Sequence, residues 1–172
     1  MEDQLAIIIE AGIGLAGFAG VTVALAGCPD RWNTAERLRV GSMLFWVFLS
    51  IFSAYTYFLL SNNFPSNLAL RICSCVLAIL LFSQVSLYWL KASPLHRQND
   101  PTLNRPLTIL LISLSVVICI LLAINTLGEI TDRFPIFFGG LIWLQLMGAI
   151  MFMRILFIRP GGSRTEYTDR KN

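Results

Sequence analysis

Ionisable chemistry is what this chain has least of. Only 13% of its 172 residues are charged, it has a single histidine, His96, and it has four cysteines. Its long apolar runs contain neither aspartate nor histidine. That shortage argues against an intramembrane protease, which wants paired aspartates, or a serine with a histidine, at depth. It also leaves His96 without the second and third ligands that a metal site requires. Cys73 and Cys75 stand two residues apart, which on a helix separates them by about 200°, so they are poorly placed to clamp one ion. Cys119 reads as a small apolar filler, and Cys28 as a reduced cytoplasmic thiol. No phosphate loop, nucleotide fingerprint, nucleophile elbow or metalloprotease helix appears. The expectation is a protein that is not an enzyme and carries neither cofactor nor metal.

Apolar length is what the chain has in abundance. Hydrophobic residues make up 56% of it and the mean hydropathy is +0.69. They fall in blocks of about 20, the length a helix needs to cross a hydrocarbon core of roughly 30 Å. Five such blocks cover 5–27, 40–60, 68–90, 107–127 and 135–158. The fold class expected is therefore all-α: a polytopic bundle of five transmembrane helices forming one domain over 1–158, followed by a polar basic tail, 159–172. No internal repeat or low-complexity tract stands out.

The net charge of +3 points to topology, not to nucleic acid. Arg31, Arg37 and Arg39 sit in the first joint, Lys91, Arg97 and Arg105 in the third, and Arg159, Arg164, Arg170 and Lys171 in the tail. These segments alternate onto one side of a five-span chain and hold ten of its thirteen basic residues. The opposite side has the acidic start (Glu2, Asp3), the uncharged SNNFPSN of 61–67, and GEITDRF of 128–134 with Arg133 alone. The positive-inside bias predicts an outside N-terminus and a cytoplasmic C-terminus. Tyr55 and Tyr57 near the outer end of the second span, and Tyr88 and Trp89 near the inner end of the third, suit interfacial depths.

The stretch EAGIGLAGFAGVTVALAGC, residues 10–28, admits a rival explanation. Leu25-Ala26-Gly27-Cys28 matches a lipoprotein-processing pattern. The start MEDQ is acidic where a signal peptide is basic, Glu10 interrupts the run, and cleavage would leave the basic joints on the wrong side. A packing helix accounts for it better. Glu10, Gly14, Gly17, Val21 and Ala24 share one narrow face, and Gly12, Ala16, Ala19, Val23 and Gly27 lie opposite, with Gly20 beside them. Small residues at four-residue spacing (Gly12, Ala16, Gly20, Ala24) let helix backbones approach closely. The first span is expected in the interior of the bundle or at a subunit interface, with pathway lining as a further role.

Charges at membrane depth are costly and mark function. Glu10 and Arg71 fall at similar distances from the outer ends of their spans, so an ion pair is expected, within one subunit or across two. Arg154 is expected to snorkel to cytoplasmic phosphates. Gln145 shares a face with Phe138, Leu141, Gly148, Ala149 and Phe152, which suggests a close helix contact with one buried hydrogen bond. Ser42, Trp46, Ser50, Ser53 and Tyr57 form a loose stripe on the second span. Hydroxyls can return to their own helix carbonyls and contribute nothing further; if a stripe wets a permeation route, this one, Gln145 and the Glu10 face are the candidates.

Taken as a block, Glu10 to Leu25, then Asp30, Trp32 and Glu36-Arg37-Leu38-Arg39, resemble a loose group of small uncharacterised bacterial multi-span membrane proteins. In these a glutamate and an AGF-small-Gly run in the first helix precede a tryptophan and an Arg-Leu-Arg-like approach to the second. The likeness covers about the first quarter of the chain and implies a bacterial inner-membrane home, without an activity.

The functional expectation is a self-associating membrane protein forming or supporting a pore for ions or small solutes. An odd span count without a repeat argues against an alternating-access transporter. No charged ring or carbonyl filter is visible. The alternative is a non-transporting anchor or sensor subunit that recruits a cytoplasmic partner through the tail. A membrane-acting effector in bacterial defence or stress is a third reading.

Overall fold

Prolines and polar turns set where the helices begin. Pro65 precedes the third helix and its carbonyl accepts from the backbone N–H of Leu68 and Ala69 at 2.9 and 3.0 Å. Pro106 and Pro135 occupy first turns, where the missing N–H would have had no intrahelical partner. The computed structural model describes residues 2–25, 34–97, 105–128 and 132–157. They form α1 (Glu2–Leu25), α2 (Thr34–Ser61), α3 (Ser66–Arg97), α4 (Arg105–Leu127) and α5 (Phe134–Phe157). All five are long and apolar enough to cross a membrane. α2 starts earlier than the apolar run 40–60, and α3 continues past 90, because helical hydrogen bonding persists where charged side chains can reach water.

α2 and α5 make the most extensive contact, α3 and α4 pair closely, and α1 packs along α2 and α5. α2 also meets α3, and α4 meets α5. The α2–α3 and α4–α5 connections therefore share one end of the bundle, called here the turn end. The core holds Leu5, Trp46, Tyr57, Leu77, Leu81, Leu122, Phe137, Leu141 and Leu144, each almost wholly covered. The rings of Tyr57 and Phe137 lie 6.0 Å apart across α2 and α5.

The surface is apolar too: Ile7, Phe18, Phe52, Leu59, Phe82, Leu90 and Leu127 are all exposed. Meanwhile Ser50, Ser74, Ser115 and Asn125 are buried. That distribution suits hydrocarbon as solvent, where polar groups are satisfied inside the protein. Outward hydroxyls obey the same rule. Thr56, Ser83, Ser86 and Ser113 each donate to the carbonyl four residues earlier, at 2.7 to 3.0 Å.

Candidate functional site

A polar joint lies at mid-height. Gln145, halfway along α5, donates through Nε2 to the carbonyl of Ile8 on α1 at 3.1 Å and to Ser50 Oγ on α2 at 3.3 Å. Ser50 Oγ in turn donates to the Leu141 carbonyl at 3.4 Å. Glycine makes this approach feasible. A Cβ on Gly12 would stand 2.6 Å from Gln145 Nε2 and 2.7 Å from Ile51 Cγ1. At Gly148 it would stand 2.6 Å from Val47 Cγ2 and 3.4 Å from Leu15 Cδ2.

The same geometry corrects the pathway reading of the α2 stripe. Ser42, Ser50, Ser53 and Tyr57 are all buried, and Gln145 is partly so. Ser50 and Gln145 bond across the seam between α2 and α5, Tyr57 meets Phe137 there, and Ser42 and Ser53 are likewise covered by protein. Hydroxyls inside a bundle read in sequence like hydroxyls along a pore; only the neighbouring helix distinguishes the two.

A second polar cluster closes the turn end. Arg133 is 7% exposed; its Nη1 donates to the Asn125 carbonyl and its Nη2 to that of Gly128 at 2.6 Å. Arg71, on α3, donates through Nε to the Thr126 carbonyl at 3.1 Å. Two guanidinium groups thus take the Asn125 and Thr126 carbonyls of the last turn of α4 and that of Gly128 just beyond it. Carbonyls at a helix end lack intrahelical donors and carry the negative end of the helix dipole. Asn125 Nδ2 ties the cluster together by donating to Ser74 Oγ at 2.9 Å and to the Arg133 carbonyl at 3.1 Å.

The expected Glu10–Arg71 pair is not made within the chain: no ion pair joins Glu10 to Arg71 or to any other described residue. α1 packs chiefly on α2 and α5, whereas Arg71 sits beside α4. Their depths also differ. At 1.5 Å per residue, Glu10 is about 12 Å from the start of α1 and Arg71 about 8 Å from the start of α3, and the Arg71 side chain then reaches back to the turn end. Glu10 lies two positions before Gly12, which meets Gln145 at the middle of α5, so it stands near mid-height.

The two small-residue faces of α1 have different fates. Gly12 and Ala19 are buried and Ala16 partly so, against α2 and α5. Glu10, Gly14, Gly17, Gly20, Val21 and Ala24 are exposed, and a Cβ added at Gly14, Gly17 or Gly20 would meet nothing within 4 Å. Of the residues expected to pack, Gly12, Ala16 and Gly148 do so within the chain; Gly14, Gly17, Gly20 and Ala24 do not.

At the opposite end Arg154 is 7% exposed, covered by protein instead of snorkelling, because it continues the buried Met147–Met151 face of α5. Arg37 is exposed. Arg31, Arg159, the 159–172 tail and the Arg39 side chain lie outside the described residues. Trp143 Nε1 on α5 donates to Ser115 Oγ on α4 at 3.1 Å. That bond, and the bonds by which Asn125 ties Ser74 and Arg133 together, went unread in sequence, although a lone asparagine in the most apolar span was a usable signal.

Comparisons with protein-family models, with curated proteins and with solved structures find no match. Fold and surface define the class: a multi-pass integral membrane protein with five candidate spans.

Proposed function

We propose that this protein assembles with itself in the membrane and that a pathway for ions or small solutes runs between copies. One observation carries the reading: Glu10, near mid-height, stands exposed on a bare glycine face of α1. A charged side chain at the centre of a spanning helix costs about 3 kcal/mol to insert, and such residues face other protein or water. A route through one bundle is disfavoured, since Trp46, Tyr57, Leu77, Phe137 and Leu144 fill its interior. We further propose a bacterial inner-membrane location with the turn end outside. The charge bias supports this, and Arg133, the one basic residue of the 128–134 segment, serves as a helix cap.

The test is ion flux from liposomes loaded with purified protein, compared with Glu10→Ala. Flux that falls at least tenfold in the variant supports the reading. The anchor or sensor reading has its own support in the closed interior. It takes over if flux is absent across lipid compositions while a soluble protein co-purifies through the tail.

A further inference from the structure

The reading above leaves open what covers the glycine face. The geometry points to a ridge of aromatic side chains on α2 of a second copy, with Tyr55 of that copy donating a hydrogen bond to Glu10; this proposal rests on self-assembly.

The two surfaces are complementary in shape. At 100° per residue Glu10, Gly14, Gly17, Val21 and Ala24 fall within about 80° of one another on α1. This strip is a groove, because its glycines present only backbone and the exposed Ile13 and Phe18 stand on either side. On α2, Phe45, Phe48, Phe52, Tyr55 and Leu59 fall within a similar arc of about 80°. All five are exposed, from 39% at Phe45 to 68% at Leu59. The rings of Phe48 and Phe52 lie 6.4 Å apart, so the ridge is continuous. Close packing of ridge into groove is what drives association between helices in lipid, where no hydrophobic effect operates.

Their registers agree as well. α1 and α2 run antiparallel, and Gly12 faces Ile51. Counting both ways from that contact, Gly17 is level with Phe45 and Trp46, Gly14 with Phe48 and Leu49, and Glu10 with Phe52 and Ser53. Copies related by an axis along the membrane normal keep these levels. A second copy therefore offers Phe45 at the height of Gly17 and Phe48 at the height of Gly14.

Chemistry selects the same joint. Tyr55 is about 3 Å nearer the turn end than Glu10. Helical side chains lean toward their own N-terminus, so Tyr55 leans away from the turn end and Glu10 toward it. Hydroxyl and carboxylate converge. Neither side chain has a hydrogen-bond partner among the described residues. A phenol donating to a carboxylate satisfies both, and a charge-assisted bond of this kind is stronger than a neutral one. Arg71 is a poorer match, being held at the turn end by Thr126. Because groove and ridge are different patches, the contact is head-to-tail and closes into a ring when the rotation allows.

The experiment uses the full chain with its four cysteines replaced by alanine, co-expressed under two tags. One copy carries Gly14→Cys, the other Phe48→Cys or, as control, Leu114→Cys on the exposed face of α4. Mild oxidation in native membranes should link the Gly14→Cys and Phe48→Cys copies at least fivefold more than the control pair. In parallel, Tyr55→Phe should lower the oligomer fraction in nanodiscs about as much as Glu10→Ala, with no further loss in the double variant. Oligomers that persist with no preferred crosslink, or with additive losses, overturn this joint and leave self-assembly standing. A protein that is monomeric in nanodiscs and uncrosslinked in membranes overturns both.

Discussion

The side-chain amide of Gln145 occupies the space where a side chain at position 12 would begin. With 2.6 Å between Nε2 and the site of a Cβ on Gly12, and 2.7 Å to Ile51 Cγ1, any larger residue there would make Gln145 and Ile51 shift. Gly14 and Gly17, two and five residues along the same helix, face open space. Three glycines that look alike in sequence therefore stand in two different environments.

Gly12→Ala forces Gln145 off the Ile8 carbonyl and pushes Ile51. Overpacking of this sort costs about 1–3 kcal/mol. Thermal unfolding in detergent, followed by tryptophan fluorescence, should show a lowered midpoint. Gly14→Ala and Gly17→Ala should leave that midpoint unchanged or slightly raised while reducing the oligomer fraction in nanodiscs. A Gly12→Ala protein as stable as the parent would contradict the described contact.

Gly148→Ala meets Val47, whose branched side chain has little rotamer freedom. The variant should be destabilised by about 1–3 kcal/mol, and Val47→Ala should recover part of the loss by vacating the space. The double variant should then be more stable than the sum of the single effects implies, a coupling of about 1 kcal/mol. Strict additivity would place Val47 elsewhere.

Arg133→Met removes a buried guanidinium from two carbonyls at the end of α4. Leaving buried acceptors unsatisfied should cost about 2–4 kcal/mol. Arg71→Met, at an exposed arginine with one bond, should cost no more than about 1 kcal/mol. Arg133→Lys should not restore stability, because an ammonium lacks the fork that spans two acceptors. Hydrogen exchange should localise the loss in the last turn of α4; uniform loss over all five helices would argue against a capping role.

Orientation is tested by labelling the cysteine-free chain on intact cells. A cysteine at Asn63, in the α2–α3 turn, should react with an impermeant maleimide from outside. One at Lys91 should react only after permeabilisation. Arg133→Gln should leave this pattern in place, since the residue caps a helix. The reverse pattern would invert the topology.

How the sequence reads depends on which physics each residue answers to. The five spans were legible because lipid penalises unsatisfied backbone over about 20 residues at a time, a requirement written in composition alone. α4 emerges at Arg105–Leu127 against an expected 107–127. Ends were less legible, as at Thr34 and Arg97, because a helix can run beyond the hydrocarbon without apolar residues. Roles of single polar residues were hardly legible. Arg71 suggested a partner for Glu10, yet it caps α4; Ser50 and Gln145 suggested a wet stripe, yet they bond α1, α2 and α5 together.

Sequence alone determined that this chain is built of membrane-crossing helices, and its basic joints carry the argument for which way they run. The first follows from the free energy of placing a segment in lipid, which sums over a helix without reference to its neighbours; the second rests on the bias of Lys and Arg toward cytoplasmic loops. Tertiary structure decided which glycine face is covered, which arginines act as caps and which serines are interior. Those outcomes turn on helix rotation and register, and a rotation of half a turn exchanges a packed face for a bare one while leaving every span as hydrophobic as before.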